Sequence, residues 1–136
     1  MDANTIKYGM TTTVDLPYER AVERAREALA QEGFGVLSEI DVRATLKKKL
    51  DVDVPPYLIL GACNPPLAHR ALTAEPNIGL LLPCNVVVYA GTRDGQSVVA
   101  AVDPEVSLGR VGNEALAPIA AEVKARLRRV LDAVSA

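Results

Sequence analysis

Apolar residues recur at helical spacing in two long stretches of the chain. Between Tyr18 and Gln31, the residues Ala21, Val22, Ala25, Ala28 and Leu29 share one side. Arg20, Glu23, Arg24 and Glu27 fall largely on the other, and Gly33 follows as a C-cap. The second stretch, Glu114 to Val134, carries Leu116, Ile119, Ala120, Val123, Leu127, Val130, Leu131 and Val134 on one stripe. Its regularity predicts a long helix packed on a core. Two shorter helices are read from their starts: Asp41 as N-cap for Val42 to Leu50, and Asn64 as N-cap for a helix opening on Pro65-Pro66 and running to about Glu75. Asp103-Pro104 opens a brief further helix that ends in the Gly109 to Gly112 stretch.

Other segments are β-branched or continuously apolar. Thr11 to Val14 (reaching back toward Ile6), Phe34 to Ile40, Tyr57 to Leu60, Val86 to Ala90 and Ser97 to Val102 read as strands. The last two flank Gly91-Thr92-Arg93-Asp94-Gly95, a hairpin signature. The order β-α-β-α-β-α-β-β-α predicts an α+β two-layer sandwich, a mixed β-sheet with helices mainly on one face. Leu80-Leu81-Leu82 and Val86-Val87-Val88 are apolar without alternation, as strands buried on both faces are, so a three-layer α/β fold is the alternative. A continuous apolar hairpin strand suggests an edge to hide, and pairing it across a two-fold axis predicts a homodimer.

Composition narrows the function classes. The 136 residues suffice for one domain with its own core, and 49% hydrophobic with 24% charged content is a globular balance. A net charge of −2 gives no field that would recruit nucleic acid or an anionic membrane. Four Tyr, one Phe and no Trp leave little surface for stacking single-stranded bases. Lys47-Lys48-Lys49 invites a phosphate reading, but cations near a helix C-terminus also offset its dipole. Met1-Asp2-Ala3-Asn4 has no apolar run, and no stretch approaches the roughly 20 residues of a membrane span, so a cytoplasmic location is the default expectation. There, two cysteines are expected as thiols, metal ligands or transient redox partners rather than a structural disulfide.

Both cysteines and the sole histidine lie in one window. Tyr57 to Pro66 and Gly79 to Asn85 each run apolar into a Cys-Asn pair, Cys63-Asn64 and Cys84-Asn85, and the sole histidine, His69, stands between them. At a strand-to-helix junction Cys63 would meet backbone N–H groups and a helix dipole that favour a thiolate, making it the candidate nucleophile. Asn64 and Asn85 are candidate ligand-binding amides. Three readings follow. Cys63, Cys84 and His69 hold a soft metal, zinc or copper, or the site takes a small ligand. Alternatively, Cys63 carries a persulfide or exchanges disulfides, with Cys84 resolving it. In the third, the cysteines are core residues of a structural or interaction domain. Phosphate-loop, dinucleotide and serine-hydrolase motifs are missing from the sequence.

The segments Glu32-Gly33-Phe34-Gly35-Val36-Leu37, Ile40-Asp41-Val42, Leu60-Gly61-Ala62-Cys63-Asn64-Pro65, Ala68-His69, Ile78 to Val86 and Val102-Asp103-Pro104 resemble the domain of unknown function 302 family. The resemblance spans nearly the whole chain. It implies a compact α+β domain that forms a dimer, and no particular activity.

Overall fold

The computed structural model describes residues 4–136. The tripeptide Met1-Asp2-Ala3, read above for leader signals, lies outside the described residues. Strands β1 (Asn4–Ile6), β2 (Gly9–Val14), β3 (Gly35–Asp41), β4 (Tyr57–Cys63), β5 (Cys84–Ala90) and β6 (Ser97–Val102) form one sheet in the order β1-β2-β6-β5-β4-β3. The helices are α1 (Tyr18–Gln31), α2 (Val42–Leu50), α3 (Pro65–Ala74), α4 (Pro104–Gly109) and α5 (Ala117–Ser135), with 3₁₀ turns at Pro76–Leu81 and Glu114–Leu116.

The α+β class holds, but the sheet is antiparallel at every pairing rather than mixed. The reason lies in two connections that carry helices yet return to the neighbouring strand in the opposite direction. Helix α2, between β3 and β4, buries none of its residues and so forms no covering layer. Helix α3, between β4 and β5, packs on the 3₁₀ turn and α5 instead of lying along the strands. The three-layer alternative falls too. Leu80-Leu81-Leu82 is not a strand: Leu80 and Leu81 lie in the 3₁₀ turn, and Leu80 is 87% exposed.

One face of the sheet carries the core. Helices α1 and α5 pack on each other and across it. Ala21, Ala25 and Leu29 of α1 and Leu127, Val130 and Leu131 of α5 are wholly buried, as are Met10, Leu60, Val86, Val88 and Val99 of the strands. Alternation on β5 and β6 is regular, so Val86 and Val88 point inward while Val87 stays half-buried on the far side.

The far side is open. Register aligns Ile40, Ile59, Val87, Ala100 and Thr11 in one row across five strands. The next row holds Tyr57, Tyr89, Val98 and Thr13, with the two tyrosine rings stacked at 5.2 Å and 6°. Neither row contains a charged side chain. The hairpin strands β5 and β6 are central, and the sheet edges are β1 and β3. The expectation that a hairpin strand pairs edge to edge is therefore wrong, because each already has two neighbours.

Candidate functional site

Strand β4 ends at Cys63, and Asn64 turns the chain into α3. Asn64 has extended backbone (φ −100°, ψ 104°), and its Oδ1 accepts the Leu67 N–H at 3.3 Å, with prolines filling the first helical positions. Across the sheet Ala62 faces Cys84, the first residue of β5, and both are buried on the core side. Gly61 allows the approach: a Cβ there would stand 2.8 Å from Pro83 Cγ and would overlap Ser38 Oγ. A side chain at that position would collide with Ser38 of β3 and with the Pro83 ring.

Strand β3 contributes by breaking its register. Val36 pairs with Ala62 and Ser38 with Gly61, so Leu37 is an extra residue in a bulge. Its side chain is 70% exposed and lies at the rim of a cavity of about 300 Å³. Cys63, Asn64 and Cys84 are among the residues that line this cavity. Leu67, Ala68, Ala71 and Leu72 of α3, Ile119 and Val123 of α5, Phe34 and Leu108 line it as well. Among the described residues, no charged side chain lines it.

Burial pushes the Cys84 thiol up to about 11 from its ordinary 9.0, and the neighbouring Cys63 adds to the shift. At neutral pH only about one Cys84 in ten thousand is then a thiolate. Both cysteines are free thiols, Cys84 buried and Cys63 half-buried.

The other two candidates lie elsewhere. His69 stands about 200° around α3 from buried Leu67, is exposed, and borders a shallow hollow with Arg70, Thr73 and Ala115. Asn85 is exposed and pairs with Gly61 on the open face of the sheet. The expected Cys63–Cys84–His69 ligand set is thus not assembled, because helical phase turns the imidazole away from the thiols. Among the described residues, no three His, Cys, Asp or Glu side chains stand close enough to hold a metal ion. Of the lysine run, Lys47 is engaged with Asp51 at 2.9 Å and Asp53 at 3.4 Å, all three at the surface.

Sequence reasoning found the cysteine wall and missed the rest of the cavity. Leu37 had a legible signal. Val36 and Leu37 are adjacent apolar residues followed by two polar ones, a break in alternation that a bulge produces. Ile119 and Val123 had none, being indistinguishable from the rest of the α5 stripe.

Fold and cavity together define a small α+β module with an antiparallel sheet, helices mainly on one face, and a pocket bordered by Cys63 and Cys84 at the sheet's end. Residues 10–134 match the family described as Domain of unknown function DUF302. A crystal structure of an uncharacterized conserved DUF302 protein from Bacillus stearothermophilus is similar: 35% sequence identity and a TM-score of 0.86, covering 94% of this chain and 98% of that one. The chain belongs to the DUF302 family. None of the curated proteins compared matches it. No helix among the described residues is long and apolar enough to cross a membrane.

Proposed function

We propose that the chain is a binding module for a small apolar ligand, seated in the cavity whose wall carries Cys63 and Cys84. The observation that carries this reading is the pairing of about 300 Å³ of uncharged, leucine-rimmed space with both cysteines of the protein. Such a cavity is at the lower end of the size range of ligand pockets. Zinc is disfavoured, since it takes at least three protein ligands and, among the described residues, two cysteines and no His, Asp or Glu border the space. Copper would have the same two sulfurs alone. The redox alternative asks Cys84 to act as a resolving thiolate, which its raised pKa opposes.

The test uses toluene, an uncharged probe small enough for the space, titrated while amide NMR shifts are followed. Saturable shifts at Ala68, Ala71 and Ile119 are expected. Leu72→Trp, at a rim position 43% exposed, should block entry while leaving the fold intact. Shifts that rise linearly without saturation, or that survive in L72W, contradict the reading.

We also propose that two copies pair through the open sheet face. Rows without charge meet their own image across a two-fold axis with no like-charge penalty, and partly exposed Ile59, Val87 and Tyr89 gain from being covered.

A further inference from the structure

Resting on the ligand-binding reading above, we infer that Leu37 is the lid of the cavity: over a bound apolar ligand, the β3 bulge carries its side chain across the mouth and so sets the rate of release. Among the leucines that line the space, Leu67 and Leu108 are buried and Leu82 is half-buried. Leu37 and Leu72 are the open ones, at 70% and 43% exposure. An exposed leucine alone is ordinary. Leu37 differs because it stands in water while bordering an apolar cavity. Covering a ligand there removes apolar surface from water on both the side chain and the ligand.

Which of the two open leucines can move follows from the backbone beneath it. Leu72 sits inside α3, where helical hydrogen bonds hold the main chain. Leu37 is the extra residue between the pairs Val36–Ala62 and Ser38–Gly61, so its own backbone belongs to no ladder pair. Strand β3 is also an edge, with β4 on one side and no strand on the other. A rotation at Leu37 therefore breaks no strand pairing, and the pairs on either side keep it local. The position of the bulge matters as much as its freedom. Ala62, which faces it across the ladder, and Cys63, the next residue of β4, line the cavity themselves. The one unpaired residue of the strand thus lies at the cavity edge.

The experiment follows toluene exchange by relaxation-dispersion NMR on protein labelled at its leucine methyl groups. In the wild type, nuclear Overhauser contacts from toluene should reach the Leu37 methyls as well as those of buried Leu67. Leu37→Ala changes an exposed side chain and leaves the core untouched, so it should fold. It should release toluene about five- to tenfold faster, the size of effect that uncovering part of a leucine allows, with association changed by less than about twofold. Leu37→Met keeps a long apolar side chain and should restore slow release. Release from L37A at the wild-type rate, release from L37M as fast as from L37A, or toluene contacts that omit Leu37 would each overturn the lid and leave the pocket standing. Failure of toluene to bind the wild type overturns the pocket reading, and the lid with it.

Discussion

Cys84 shows how one residue's setting becomes a property of the whole fold. Its thiol is buried on the core side of β5, and burial raises its pKa from 9.0 to about 11. The unfolded chain therefore releases this proton at lower pH than the folded one. Stability is unaffected below pH 9 and falls as pH rises toward 11, because there the folded state holds the proton that the unfolded state has lost. Two pH units of difference correspond to about 2.7 kcal/mol at the upper limit. Burial raises Tyr18 and Tyr57 as well, and their contribution has the same sign. The informative comparison is thus wild type against Cys84→Ala. Urea unfolding across pH 8–11 should give a shallower loss for C84A, by up to roughly 2 kcal/mol. Parallel curves would mean that Cys84 ionises as freely in the fold as outside it.

At the scale of elements, α5 and β3 do different work. Helix α5 holds the molecule together: Leu127 is wholly buried between α1 and the sheet, and Leu127→Ala should cost about 2–5 kcal/mol in denaturant unfolding. A change within error would place the stripe at the surface. Strand β3 instead shapes the site through its bulge, and its exposed Leu37 marks the cavity rim. Sequence patterning captured the first kind of element well. Helix α1 spans Tyr18–Gln31 as its stripe predicts, and Asp41 and Asn64 cap α2 and α3 through their side chains. These signals are local, arising from spacing and capping within a few residues. Strand order is not local. Nothing in Val42–Leu50 says that the chain returns antiparallel beside β3, and nothing in Ala68-His69 says which side chain faces the thiols. The candidate site was legible to the same extent: Cys63, Asn64 and Cys84 come together because they flank adjacent strand ends. Ile119 and Val123 join them only through the tertiary path of α5.

At the scale of the whole molecule, the sheet divides two surfaces of opposite character. Its inner face is covered by α1 and α5, while the outer face presents uncharged rows crossing β3, β4, β5, β6 and β2. Light scattering at micromolar concentration should give twice the 14.5 kDa chain mass, and Val87→Lys, placing a charge at the centre of the face, should return it to the monomer. A monomer mass for the wild type removes the pairing. The cavity opens at the end of the sheet, away from these rows, so V87K should leave ligand binding unchanged.

The proposed ligand site is bordered by both Cys63 and Cys84, and differential alkylation tests that most directly. Folded protein at pH 8 is treated with iodoacetamide, with and without toluene at about ten times its dissociation constant, and each cysteine is followed by mass spectrometry. Half-buried Cys63 should react before buried Cys84, and toluene should slow both by the same factor, about tenfold by mass action. Rates that ignore toluene, or protection of one cysteine without the other, would contradict a shared ligand site.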